Sequence, residues 1–365
     1  MVDDLDRRIA DIQKEIKATP YHKGTEHHIG RLKARLAKLK DEKIKKAIKK
    51  GGSGVGFAVK KVGEVTVVLV GPPSVGKSTL INQLARTTSK VGAYAFTTTS
   101  VIPGMMSYKG AKIQIFDVPG LVAGASEGKG RGREVISQVR SADLIILMIE
   151  PIASETEKNL KKELYEAGIR LDENPPQILI NKKRKGGLKI LATTKLSLTR
   201  ETIKKIAEEF RLENAEIVIR EDVTMERLID ALADNRIYLP SLLVINKIDQ
   251  LRLEELENIK DKFAGQKAVF ISSLKNWGLE ELKEMVWEEL GLIRVYLKKK
   301  SQEPDFQSPF ILKKGQNFKK LLEQISICEK ETFKSAKIYG PSAKYPGQEV
   351  SLDFQPQDEE IVNFV

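Results

Sequence analysis

Apolar and polar positions change their pattern three times along the chain. Near the amino end apolar side chains recur every three or four residues. Leu5, Ile9, Ile12 and Ile16 form one set; Ile29, Leu32, Leu36 and Leu39 form the next, after the helix-breaking TPYHKGT. This spacing puts each set on one helical face, so residues 1–60 predict an αα-hairpin with a basic outer surface, running into the flexible joint GGSGVG. From Glu64 the texture becomes short, continuous, β-branched runs: VTVVLV, KIQIFD, LIILMI, LLVI and AVFI. Such runs suit strands buried on both faces. With helical stretches between them they predict a mainly parallel α/β sheet over residues 61–293. Within it, about residues 168–240 read differently: NPPQILI, the basic loop NKKRKGG, a helix RETIKKIAEEF and a strand AEIVI predict an inserted α+β subdomain. Residues 294–365 bring short strands around one helix, a small α+β module.

Composition narrows the class. A chain of 365 residues with 41% hydrophobic residues suits two to four domains with real cores. No apolar run approaches the ~20 residues that span a bilayer, and MVDDLDRRIADIQ has no apolar signal-peptide region. A cytoplasmic protein with no membrane contact, monomeric, is expected. One cysteine, Cys328, and 3 histidines exclude a disulfide framework or a structural zinc site; Cys328 reads as a small core residue. The net charge is +12, and residues 1–61 hold 17 Lys/Arg against 8 Asp/Glu. That clustering suits a phosphate backbone, with a solvated helical surface as the competing reading.

Chemistry is concentrated at strand ends. GPPSVGKST, Gly71 to Thr79, follows VTVVLV and opens the helix LINQLA. It fits the phosphate-binding loop in its required strand-to-helix context. Gly71 and Gly76 allow the backbone to wrap, with Ser74 in the loop. N–H groups near Val75, Gly76, Lys77, Ser78 and Thr79 can then meet phosphate oxygens at a helix N-terminus. Lys77 is placed to bridge the β- and γ-phosphates and Ser78 to ligate Mg²⁺. DVPG ends KIQIF, where Asp117 can hold Mg²⁺ through water and the Gly120 N–H can meet the γ-phosphate. NKID ends LLVI: the Asp249 carboxylate can accept from guanine N1–H and the 2-amine together, which selects GTP over ATP. Asn246 is expected to reach N7 and tie this loop to the P-loop, with the Lys247 stem over the base. The rival NKKR at Asn181 offers the donor Arg184 where an acceptor is needed. In ISSL, N–H groups near Ser272 and Ser273 are expected at guanine O6. In YAFTTTS, Thr98, with Thr97 as its neighbour, is the candidate to close over Mg²⁺. Gly120 and Asn246 lie 126 residues apart. Two strand–helix units need about 60, and the surplus matches the insertion.

Together GPPSVGKSTL, YAFTTTSVIPG, DVPGLVAGASEGKGRG, INKID and NWGLEEL resemble the developmentally regulated GTP-binding (DRG) proteins, a branch of the Obg-related GTPases. The resemblance spans nearly the whole chain. It implies a P-loop GTPase domain with the α+β insertion, the basic helical N-terminus and a C-terminal TGS-like domain of β-grasp fold. It also implies a translation-associated GTPase that contacts ribosomes or RNA, alongside a small stabilising partner protein. Ser272-Ser273 stands where relatives usually carry Ser-Ala, and DFQPQDEEIV departs from the D-G-D turn of TGS domains. After Gly120, where many GTPases place a Gln that orients the attacking water, this chain has Leu121. The resemblance implies an active enzyme of the type with a hydrophobic residue there. Catalytic help then comes from the loop GASEGKGRG, from K⁺ as a charge clamp near Ser74, or from the ribosome or a partner. Lys129, Arg131 and Arg133 are candidate fingers, with RNA or solvent contact as the alternative.

Overall fold

A computed structural model describes residues 4–49, 64–86, 103–117, 139–152, 154–298, 302–325 and 333–365. The chain divides into two compact units. One contains described residues 4–49 and 161–239; the other contains those of 64–117, 139–160 and 240–365.

Helices α1 (Asp4–Ala18) and α2 (Glu26–Lys49) open the chain. Strand β1 (Val65–Val70) leads into α3 (Lys77–Arg86); β2 (Pro103–Tyr108), β3 (Ala111–Asp117), β4 (Leu144–Ile149) and α4 (Ser154–Glu166) follow. The insertion then supplies β5 (Ile169–Leu171), β6 (Ile178–Lys182), β7 (Leu188–Ala192), α5 (Arg200–Glu209), β8 (Ala215–Ile219), α6 (Met225–Ala233) and β9 (Ile237–Leu239). The remaining elements are β10 (Ser241–Ile245), α7 (Leu253–Lys262), β11 (Ala268–Phe270), α8 (Leu279–Leu290), β12 (Leu292–Leu297), β13 (Phe310–Lys313), α9 (Phe318–Ile325), β14 (Ser335–Ile338), β15 (Gln348–Ser351) and β16 (Glu360–Phe364).

In the second unit six strands form one sheet in the order β11-β10-β4-β1-β3-β2, parallel except for the edge hairpin β2–β3. All residues of β1, β4 and β10 are buried, which is why their sequences run apolar without alternation. The parallel strands all end on one side of the sheet, where connections to the following helices converge, as ligand sites of open α/β sheets do. A second sheet of this unit has the order β13-β12-β16-β14-β15, with first and last strands parallel at its centre. Phe318 and Leu321 of α9 are fully buried against it. This is the strand order of a β-grasp fold.

In the first unit the N-terminal hairpin shares a core with the insertion. Ile29 and Ala34 of α2 pack into one core with Ile203, Ile206 and Leu228. Among the described side chains, three cations of α2 pair across the unit: Lys33 with Glu226 at 2.6 Å, Arg35 with Glu209 at 3.1 Å, Lys43 with Asp6 at 2.6 Å. Strand β7 is a difference, since LKILA is absent from the sequence-based expectations. It completes the sheet β6-β8-β7.

Glu26, fully buried at the start of α2, locks the hairpin to α5. It accepts from Lys23 Nζ at 2.8 Å, the Thr199 N–H at 3.1 Å and Thr202 Oγ1 at 2.9 Å. Burial opposes its ionisation, yet these hydrogen bonds hold its carboxyl down at about 2, below the ordinary 4.5. The stabilisation is therefore complete above about pH 4.5 and is lost as pH falls through about 2. Glu26→Gln is expected to cost about 1–3 kcal/mol near neutral pH. In melting curves recorded against pH, its deficit relative to wild type should shrink on acidification; a deficit constant with pH would contradict the ionised lock.

Candidate functional site

The site lies at the carboxyl ends of β1, β3, β10 and β11, in the second unit. The chain leaves β1 at Gly71, where an added Cβ would sit 2.3 Å from the Met148 carbonyl oxygen. It then turns through Ser74 at φ 61° and Gly76 at φ 100°. Val75 is fully buried and anchors the wrap. Helix α3 begins at Lys77, so the first-turn N–H groups of Lys77, Ser78 and Thr79 have no intrahelical acceptor and face outward with the helix dipole. The Lys77 ammonium reaches back across this loop to the carbonyl oxygens of Gly71 (2.9 Å) and Pro72 (2.8 Å). Burial pushes its pKa down, while the Asp117 charge pulls it up.

Ser78 Oγ donates to Asp117 Oδ2 at 3.0 Å, which brings the two expected Mg²⁺ ligands side by side. The other carboxylate oxygen, Asp117 Oδ1, is buried and has no hydrogen-bond partner among the described residues. A hydroxyl beside a carboxylate with an orphaned oxygen is an all-oxygen donor set that fits a hard divalent cation.

On the base side, Asn246 is buried and fully engaged. Its Nδ2 donates to Val75 O at 2.8 Å and Ser273 Oγ at 2.9 Å, while its Oδ1 accepts from the Ser273 N–H at 2.9 Å. The tie to the P-loop is thus present, but both amide protons are used, and the expected contact to N7 has no proton left to supply it. Lys247 adopts φ 68° and pairs with Glu150 at 2.5 Å. That reversal sets up the 3-10 turn Ile248–Gln250 carrying Asp249. Asp249 is half-buried, and among the described residues its carboxylate accepts no hydrogen bond.

The N–H groups expected at guanine O6 are engaged within the protein. The Ser272 N–H donates to Trp277 O at 3.1 Å and the Ser273 N–H to Asn246 Oδ1, so neither is free. The Lys275 N–H is held by Ser272 Oγ at 3.1 Å. The donors left open in this turn, among the described residues, are the N–H groups of Leu274 and Asn276, and that of Leu274 directly follows the two serines. Sequence reasoning missed it because the allocation depends on Trp277 folding back onto Ser272, a return made possible by Gly278 at φ 70°. Thr97, Thr98, Gly120, Leu121, Lys129, Arg131, Arg133 and Cys328 lie outside the described residues.

Gly76 packs against the same Asn246: a Cβ there would lie 2.4 Å from Nδ2. Gly76→Ala therefore strains the loop and breaks its tie to the base-side loop. A loss of nucleotide affinity of about tenfold or more is expected by calorimetry; unchanged affinity would show that the tie does not shape the site.

Residues 66–182 match the family model described as 50S ribosome-binding GTPase, and residues 185–292 match that for the C-terminal region of the same domain. A GTP-binding protein of Methanocaldococcus jannaschii is 47% identical over 99% of this chain and 93% of its own length. Human developmentally-regulated GTP-binding protein 2 is 40% identical over 98% of both chains. Among solved structures, the YchF GTPase of Schizosaccharomyces pombe aligns over 84% of this chain and 99% of its own, at 15% identity and a TM-score of 0.43.

Proposed function

The chain belongs to the developmentally regulated GTP-binding proteins, and on that basis we propose that it is a Mg²⁺-dependent GTP hydrolase acting as a switch on the translation machinery. The observation that carries the chemistry is Ser78 Oγ beside Asp117, whose second oxygen is buried and unpaired among the described residues. Lys77 exchanges the two carbonyl oxygens it now holds for β- and γ-phosphate oxygens, and its N-terminal helix turn supplies N–H donors around them. Ser78 and Asp117 hold the metal. Held there, Mg²⁺ would supply positive charge to the phosphate oxygens. Asp249 reads the N1–H and 2-amine of guanine, and the Leu274 N–H meets O6. In this reading Thr98 and Gly120 would complete the γ-phosphate contacts, and K⁺ near Ser74 would supply an additional charge clamp in place of the Gln missing at Leu121.

The ribosome or an RNA is the proposed partner of the switch, with a small stabilising protein beside it. This is supported by the net charge of +12 and by the description of the matching family model. No described helix is long and apolar enough to cross a membrane; the cytoplasm is the proposed location. A second reading makes the protein an RNA- or ribosome-binding module whose GTP only fixes shape, favoured by the hydrophobic Leu121. Ribosome co-sedimentation in GDP and in a non-hydrolysable GTP analogue tests the switch: retention should be several-fold higher with the analogue, and equal retention would contradict it.

A further inference from the structure

The inserted subdomain carries a concentration of charge that the nucleotide site does not use. Between Asn181 and Lys205 there are nine Lys or Arg and a single acidic residue, Glu201. Among the described residues only two of these cations form ion pairs: Lys183 with Glu216 at 2.6 Å and Lys205 with Glu208 at 3.1 Å. On α2, by contrast, Lys33, Arg35, Lys40, Lys43 and Lys46 all have acidic partners in their own unit.

These cations surround β7, which is an edge strand with β8 on one side only. β7 runs parallel to β8. At its two ends Gly187 O accepts from the Ala215 N–H at 3.2 Å and the Thr193 N–H donates to Ile219 O at 3.0 Å. Alternation along a strand then directs residues 187, 189, 191 and 193 toward β8. The backbone N–H and C=O groups of Leu188, Ile190 and Ala192 are left on the open edge, unpaired among the described residues. Beside this edge runs a groove of about 470 Å³. Leu188 and Ile190 form its floor, and Arg200, Glu201, Lys204 and Lys205 of α5 form its wall. The opposite edge strand, β6, is approached through Pro175 and Pro176, a common guard against strand addition; β7 has no proline.

We propose that the β7 edge accepts an extended, acidic segment of a partner protein as a fourth strand of this sheet. The unpaired backbone groups supply main-chain hydrogen bonds, Leu188 and Ile190 receive alternate apolar side chains, and Arg200 and Lys204 meet the acidic ones. An RNA backbone would use the cations alone and leave the edge and the apolar floor without a role. The proposal does not depend on nucleotide binding or hydrolysis.

The probe is a fluorescent peptide of alternating Glu and Val, about eight residues long to match a short strand, titrated into the full chain by anisotropy. A Lys-Val peptide and an RNA hairpin serve as comparisons. Ala192→Pro removes an edge N–H without taking a bond from the ladder, because that N–H faces outward. The paired variant Arg200→Glu with Lys204→Glu reverses the wall. The Glu-Val peptide should bind and the Lys-Val peptide should not. Each variant should weaken binding by about tenfold or more with its melting curve unchanged. Amide exchange at Leu188, Ile190 and Ala192 in the wild-type chain reads the same contact without a mutation, and the peptide should slow it. Absence of saturable peptide binding, or exchange at these amides unaltered by bound peptide, would overturn the proposal. So would RNA binding that the charge reversal removes and Ala192→Pro leaves intact, which would assign the surface to nucleic acid.

Discussion

Asp249→Asn is expected to weaken GTP binding by about 1.5–3 kcal/mol, roughly ten- to a hundredfold, through loss of a charge-assisted pair. The effect should be confined to the base. Asp249 sits on a turn whose backbone is tied independently of its side chain: the Ile248 N–H donates to Ile271 O at 3.2 Å and the Gln250 N–H to Lys247 O at 3.1 Å. Its carboxylate accepts nothing from the described residues, so the substitution leaves no buried partner stranded in the protein. The loss comes from the ligand side, where N1–H and the 2-amine face an amide that offers one acceptor oxygen and an unwanted NH₂. Xanthine presents a carbonyl in place of that amine and accepts from the Asn NH₂, so xanthosine triphosphate should gain affinity as GTP loses it. Calorimetric titration with both nucleotides checks the exchange. Equal losses for both would mean that the substitution disturbs the loop rather than the pairing.

Ser78→Asn is expected to abolish Mg²⁺-dependent GTP binding, a loss of about a hundredfold or more, while the circular dichroism spectrum stays that of the wild type. Ser78 is exposed in the first turn of α3, so the larger side chain displaces no core atom. What it removes is the hydroxyl that stands 3.0 Å from Asp117 Oδ2. Asn places a carbonyl or an NH₂ there, too far forward for the same coordination and, in the NH₂ orientation, of the wrong polarity for a cation. Nucleotide binding measured with and without Mg²⁺ should differ strongly in the wild type and little in the variant. A variant that hydrolyses GTP at the wild-type rate would remove Ser78 from the metal site.

The parts of the fold legible in the sequence are those governed by burial on both sides of a sheet. VTVVLV, LIILMI and LLVI cannot be amphipathic, and they became the central strands that carry the P-loop and NKID at their ends. β7 escaped because LKILA is short, half-exposed and follows NKKRKGG, so its charge masked an alternation of half-buried and exposed positions only four residues long. The fate of the N-terminal charge was also hidden. The periodicity of Ile29 and Leu32 shows that α2 has an apolar face, but not that Glu209 and Glu226, far along the chain, stand beside Arg35 and Lys33. At the site, residue types and spacing pointed to Lys77, Ser78, Asp117 and Asp249, which the structure places at the carboxyl ends of the sheet's strands. The division of hydrogen bonds among Asn246, Ser272, Ser273 and Leu274 was not readable, because it follows from backbone angles at Lys247 and Gly278 that no pattern of residue types specifies.

Single-turnover release of phosphate from GTP by the full chain, with and without Mg²⁺ and with and without ribosomes, tests the central claim most directly, with ATP and Lys77→Met as controls. A GTP-cleaving switch predicts phosphate release from GTP that requires Mg²⁺ and Lys77, rises when ribosomes are added, and is absent with ATP. Saturable GTP binding with no release in any of these conditions would show that the nucleotide only holds the shape of the protein, and would contradict the account.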